Sequence, residues 1–263
     1  MSSHPPEIAA AFLALVETVA RLRRDCPWDR EQTSKSIMPF LIEETYEVLE
    51  ALDAETPEEV RGELGDLLLQ ILLHAEMASE RAEFDIRDVI DAVRTKMVRR
   101  HPHVFGDLAV AGTHEVLDNW SRIKADERRA ARKDASVLAG VPAALPALLR
   151  AERLGEKASR VGFDWPDPNG ALAKAREEIA ELEQALASGA AAEIESEVGD
   201  CLFALASLAR KAGVSAELAL KRTLDRFASR FRHVETALER QGRSARDATL
   251  EELEALWQEA KRR

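Results

Sequence analysis

Two groups of acidic residues recur along this chain at one spacing. Glu43-Glu44-x-x-Glu47 is followed by Glu63-x-x-Asp66, and Glu177-Glu178-x-x-Glu181 by Glu197-x-x-Asp200. Fifteen residues separate the two halves of each group, and the second group lies 134 residues after the first. With no His or Cys inside either motif, the donors are oxygen alone, which favours a hard ion such as Mg²⁺ or Mn²⁺ over zinc. The pattern reads as a metal site used by a duplicated domain.

Helices must position these acids. Residues three and four apart share a helix face, so Glu44 pairs with Glu47, and Glu63 with Asp66. Between the halves lies Glu55-Thr56-Pro57-Glu58-Glu59. There Thr56 is expected to cap the next helix, Pro57 suits its first position, and Glu59 completes a capping box. Glu47 and Glu63 are each eight residues from position 55, and Glu44 and Asp66 each eleven. In an antiparallel hairpin these pairs sit at equal heights, roughly 12 and 16 Å from the turn at 1.5 Å per residue. Gly189, suited to a left-handed helix end, is the matching pivot for Glu181 with Glu197 and Glu178 with Asp200.

A solvated helix face is the plain alternative for any one acidic cluster. The neighbours argue against it. Asp66 opens Leu67-Leu68-Leu69-Gln70-Ile71-Leu72-Leu73, and Asp200 opens Cys201-Leu202-Phe203-Ala204-Leu205-Ala206. Runs apolar nearly all round read as central buried helices, and carboxylates crowded beside a core repel one another unless a cation holds them.

The bulk composition is that of an all-α chain. Leu, Ala, Glu and Arg dominate, aromatics make up 5%, and convincing strand alternation is missing. The length of 263 residues is enough for one large or two small domains. A net charge of −11 argues against a nucleic-acid surface, but not against an anionic small substrate that a metal neutralises. Two cysteines, Cys26 and Cys201, make no disulfide framework, and Cys201 reads as core packing. With neither a leader pattern nor an apolar run of membrane-spanning length, no membrane contact is expected, and the expected location is cytoplasmic.

Helices are expected near 6–24, 37–53, 57–82, 86–100 and 113–131, then near 144–160, 168–187, 190–212, 215–240 and 247–262. Asp25-Cys26-Pro27-Trp28-Asp29 reads as a polar loop. Gly140, Pro142 and Pro146 mark a linker over 134–146, which separates an N-terminal domain of residues 1–133 from a C-terminal domain of residues 147–263. The repeat extends beyond the acids. Trp28-Asp29 matches Phe163-Asp164, Lys96-x-x-Arg99-Arg100-x-x-His103-Val104 parallels Arg226-x-x-Ser229-Arg230-x-x-His233-Val234, and Trp120-x-x-x-Lys124 parallels Trp257-x-x-x-Lys261. Basic residues four apart on a helix suit successive phosphates, and a Trp one turn before a Lys offers a stacking surface plus a cation. His101-Pro102-His103 reads as a structural loop rather than a metal pair.

Cys26-Pro27-Trp28-Asp29, Glu43-Glu44-Thr45-Tyr46-Glu47, Arg61-Gly62-Glu63-Leu64-Gly65-Asp66-Leu67-Leu68 and Arg99-Arg100-His101-Pro102-His103-Val104-Phe105 resemble the MazG family of nucleoside triphosphate pyrophosphohydrolases. Val161-Gly162-Phe163-Asp164-Trp165 and the second acidic set resemble the C-terminal copy of its two-domain members. The resemblance implies tandem all-α helical-hairpin domains that form four-helix-bundle-type homodimers. It also implies Mg²⁺-dependent cleavage of nucleoside triphosphates between the α- and β-phosphates. Carried over by position, Glu178, Glu181, Glu197 and Asp200 would hold metal with Glu177 beside them. Lys174, Arg226, Arg230 and Lys261 would contact phosphates, and Phe227 and Trp257 the nucleoside. The first copy offers Glu44, Glu47, Glu63 and Asp66, flanked by Glu43, with Lys96, Arg100, Trp120 and Lys124. One departure separates the copies: Phe40 stands where the second has Lys174. The C-terminal copy is therefore expected to be the better catalyst, with broad base specificity. Specificity for a single nucleotide such as dUTP, and an idle helical dimer that binds a partner protein, are the competing readings. A di-iron bundle would want Glu-x-x-His pairs, and neither motif carries one.

Overall fold

The computed structural model describes residues 6–54, 56–130 and 136–262. Glu55, the pivot of the first hairpin, and residues 131–135, which include the start of the expected linker, lie outside the described residues. Among the described residues every regular element is helical. None of these helices is long and apolar enough to cross a membrane. Contacts divide the chain into two units, Met1–Ile123 and Lys124–Arg263.

The first unit begins with α1 (Pro6–Asp25), α2 (Pro27–Glu31), α3 (Met38–Ala54) and α4 (Pro57–Glu80). It continues with α5 (Ile86–Arg100), the single turn α6 (Pro102–Phe105) and α7 (Thr113–Ala130), which runs across the division. Helices α3 and α4 pack as a hairpin, and α1 lies against α4. Val19, Ile37, Leu72, Leu73 and Met77 form its core, with Phe12, Leu15, Val16, Leu68, Leu69 and Ile86 packed around them. Arg23 is buried among these elements. Its guanidinium donates to both carboxylate oxygens of Glu80 at 2.8 Å, to the Gln32 carbonyl at 3.0 Å and to the Asp29 carbonyl. That fork ties α1 to α4 and to the α2 segment, and a buried charge needs such full pairing.

The second unit holds α8 (Ala147–Ser159), α9 (Pro168–Ser188), α10 (Ala191–Lys211), α11 (Ala216–Glu239) and α12 (Leu250–Lys261). Asp167 caps α9, accepting from the Asn169 N–H at 2.8 Å and the Gly170 N–H at 3.1 Å, with Pro168 at the first helical position. Gly189 ends the helix at φ +73°, as its sequence position predicts. Alanines let α9 and α10 approach closely: Ala171, Ala175, Ala185, Ala204 and Ala206 are all buried. Cys201 is buried with them, in keeping with a packing role. Asp164, in the loop before α9, accepts from Arg210 at 2.6 and 3.2 Å and from Lys211 at 3.2 Å, which fastens this loop to the end of α10.

Four local expectations need correction. The 25–29 segment is not a loop, because Pro27 opens the short helix α2, a position where its missing N–H costs nothing. Pro102 likewise opens α6 rather than a loop. The Thr56 side chain makes no cap hydrogen bond; its hydroxyl reaches back to the Ala54 carbonyl at 3.5 Å instead. Helices α4 and α10 are buried on one side only. Leu64 and Ile71 on α4 are exposed, as are Val198, Leu202, Phe203 and Leu205 on α10. A two-helix hairpin covers one face of each helix, so the remaining apolar stripe within a single chain meets solvent.

Candidate active site

The α9–α10 hairpin brings the second acidic set together. Glu178 on α9 and Glu197 and Asp200 on α10 each offer a carboxylate oxygen within 4.8 Å of the other two. Glu178 is buried at 7% exposure, so its charge has little water to stabilise it. Lys174, one turn earlier on α9, supplies a counter-charge. Its Nζ lies 2.6 Å from Glu177 and 2.7 Å from Glu178, and these carboxylates raise the Lys174 pKa, holding the ammonium charged. Glu181 stands outside the three-oxygen group. Its pKa is raised by burial first and then by the neighbouring Glu178 charge. The Cys201 thiol is pushed up by burial and by the neighbouring charges of Glu178, Glu197, Asp200 and Glu181.

The α3–α4 hairpin repeats the arrangement with Glu44, Glu63 and Asp66. Glu44 is raised by burial, then by the charges of Asp66 and Glu47; Glu63 is raised by burial, then by Glu47 and Asp66. No lysine answers these charges at the Lys174 position. Phe40 stands there, its ring edge-on to Trp28 with centroids 6.2 Å apart. Glu43 is exposed, and like Glu177 it lies outside the three-oxygen group of its copy.

The basic residues gather elsewhere in the second unit. Arg226, Ser229, Arg230 and His233 on α11 face Ala260 and Lys261 on α12 across a cleft of about 360 Å³. The lining of that cleft includes none of the acids. Beside it, Phe227 lies 5.1 Å from Trp257 and 6.1 Å from Phe231, the two Phe rings nearly parallel. The sequence reading assigned no role to Ser229, Phe231 or His233. The signal was available: Ser229 and His233 stand three residues from Arg226 and Arg230, and Phe231 four from Phe227. In the first copy Lys96 and Arg100 lie on α5 and Trp120 and Lys124 one turn apart on α7, with the Arg100 guanidinium 5.5 Å from the centre of the Trp120 ring.

Comparison with known proteins matches the model of the MazG nucleotide pyrophosphohydrolase domain at residues 32–105 and again at 167–235, one match over each acidic hairpin. The chain belongs to the MazG family. Its relatives include the nucleoside triphosphate pyrophosphohydrolase of Escherichia coli K12, 42% identical over 95% of this chain and 96% of that protein. The nucleoside triphosphate pyrophosphohydrolase/pyrophosphatase MazG of Thermotoga maritima is 40% identical over 97% of each. As a MazG protein with two such domains, the chain is an enzyme of the nucleotide pyrophosphohydrolase class, a hydrolase of phosphoric anhydrides.

Proposed function

We propose that the chain hydrolyses nucleoside triphosphates, ribo- and deoxyribo- alike, between the α- and β-phosphates, releasing a nucleoside monophosphate and pyrophosphate with broad base specificity. The observation that supports it best is the convergent oxygen cluster of buried Glu178, half-buried Glu197 and exposed Asp200, with Lys174 alongside. An all-oxygen donor set beside a core suits Mg²⁺ or Mn²⁺. Glu178, Glu197 and Asp200, with Glu181 next to them, would hold it. Bound there, such an ion would supply charge neutralisation of the phosphates and a more acidic water.

The chain's own residues take the remaining tasks. Glu177, exposed beside the cluster, would accept the proton of an attacking water. Lys174, beside these carboxylates, would contact the substrate phosphates. Arg226, Arg230 and Lys261 stabilise charge on the departing pyrophosphate, and the Phe227–Trp257 ledge offers the nucleoside an apolar face. Acids and cleft occupy different helix pairs, and the exposed stripe of Val198, Leu202 and Leu205 on α10 supports a homodimer in which a second copy covers this face. The first unit keeps its acids but lacks the lysine, so it serves as the weaker site.

Product analysis with ATP and dUTP, with and without Mg²⁺, tests the reading on wild type and Glu178→Ala. Metal-dependent monophosphate plus pyrophosphate, lost in the variant, is expected. Activity retained by Glu178→Ala would move the chemistry to the first unit, and orthophosphate plus diphosphate would mean a different scissile bond.

A further inference from the structure

Lys174 holds a carboxylate that a divalent ion would also use. Its Nζ lies 2.6 Å from Glu177 Oε1 and 2.7 Å from Oε1 of Glu178, the buried member of the convergent acids. Residues three and four apart share a helix face, so α9 itself builds this contact. A carboxylate at 7% exposure needs a counter-charge, and the ammonium supplies one. An ion held by Glu178 would share that carboxylate with the ammonium, and two cations on one anion oppose each other.

The hairpin gives the ammonium few other anchors. Lys174 lies fifteen residues before Gly189 and Ala204 fifteen after it, so the two stand at one height, a turn beyond Glu178 and Asp200. Ala204 is buried and carries no charge. Glu177 is exposed, and an exposed pair is a weak hold. The phosphates of a nucleotide are a stronger one. The first unit is a control within the same chain. Glu44, Glu63 and Asp66 converge as their counterparts do, yet Phe40 stands at the lysine's place, against Trp28.

We propose that Lys174 is a positioning residue that couples metal to substrate: its ammonium keeps divalent ions weakly bound at the second hairpin until a polyphosphate draws it off Glu178. The first hairpin, with no such lysine, takes the ion without nucleotide. This rests on both acidic hairpins being divalent-ion sites. The test is calorimetric titration of the full chain with Mn²⁺ alone. Wild type should bind Mn²⁺ at the first hairpin, a class lost in Glu44→Ala, and ~10-fold more weakly at the second, a class lost in Glu178→Ala. Lys174→Met should tighten the second class ~10-fold, and Phe40→Lys should weaken the first by a similar factor. Both changes stay below the full like-charge cost because the lysine stem can swing aside. Arg176→Met, which removes an exposed charge two residues along α9, should change neither class. Second-class affinity within about twofold of wild type in Lys174→Met would overturn the proposal. An equal gain from Arg176→Met would overturn it too, since net charge alone would then be responsible. If circular dichroism shows Lys174→Met unfolded, Lys174→Gln decides by the same criterion. Failure of the wild type and of Lys174→Met to bind Mn²⁺ at all would overturn the metal sites and the proposal together. Binding at both hairpins that ignores Lys174 would overturn the proposal alone.

Discussion

The Lys174 ammonium lies 2.7 Å from the buried carboxylate of Glu178, and Phe40 takes the matching place beside Glu44. One substitution of residue type thus divides two hairpins that otherwise carry the same acids. In the second unit the resting cluster has its own cation. In the first, no lysine stands at that place, and Glu44 and Glu63 have their pKa values raised by burial and by the neighbouring acids.

Lys174→Ala should lower kcat/KM for ATP by roughly two orders of magnitude, the usual consequence of removing a charged donor from a transition state. Phe40→Ala should leave turnover near wild type. Steady-state kinetics on both variants decides it, and equal losses would show that the two copies share the work.

Raised acids carry a stability signature of opposite sign to ordinary ion pairs. The Glu63 pKa is lifted above its usual 4.5 by burial, Glu47 and Asp66, so its repulsion is absent below that value and grows as pH rises through the folded-state pKa. Glu63→Gln should therefore raise Tm in chelator at neutral pH and reduce the further rise that Mg²⁺ produces, since only a folded-state ligand stabilises. A drop in Tm in chelator would refute this.

Asp164 behaves in the conventional sense. Hydrogen bonds from Arg210 hold its carboxyl below the usual 3.8 against the cost of burial, with help from Lys211. Its contribution is present above that value and fades as pH falls through the lower folded-state pKa. Asp164→Ala strands a partly buried guanidinium and should cost about 2 kcal/mol. Urea denaturation should show the gap from wild type narrowing between about pH 5 and pH 2; a constant gap would mean the loss is not electrostatic.

The ends of α4 and α10 offer a matched pair of backbone tests. Gly213 has φ +73°, while Ala82 takes φ +54° at the corresponding turn. The Val214 N–H returns to the Ala209 carbonyl at 2.8 Å, and the Glu83 N–H to the Ala78 carbonyl at 3.1 Å. A methyl at Gly213 would meet no atom within 4 Å, so Gly213→Ala should cost only the left-handed backbone penalty, ~1 kcal/mol. Ala82→Gly should stabilise by ~0.5 kcal/mol after the entropy of the freer unfolded chain is deducted. Thermal melts of both variants read the two signs.

Leu202, half exposed on α10, tests the proposed homodimer. Leu202→Glu should shift the light-scattering mass from two chains to one without loss of helix content. An unchanged mass would place the subunit contact elsewhere or abolish it.

Much of this protein was legible from residue order alone. Helical spacing placed Glu44 with Glu63 and Asp66, and Glu178 with Glu197 and Asp200, because helix rise and equal distance from a turn fix height in a hairpin. Gly189 announced its left-handed end because other residues pay for that conformation. Proline was misread at Pro27 and Pro102, where a breaker in mid-helix is a good starter at the first position. The runs after Asp66 and Asp200 were misread as buried all round, because hydrophobicity reports which faces need cover and not whether one chain supplies it.

Periodicity and spacing by themselves determined the helices, the duplication and the convergence of acids, all local consequences of the backbone's repeat. Tertiary structure alone decided that Asp164 binds Arg210. It also set His233 with Arg226, Arg230 and Lys261 in one cleft. Those relationships depend on where side chains of different helices end, which no single helix period encodes.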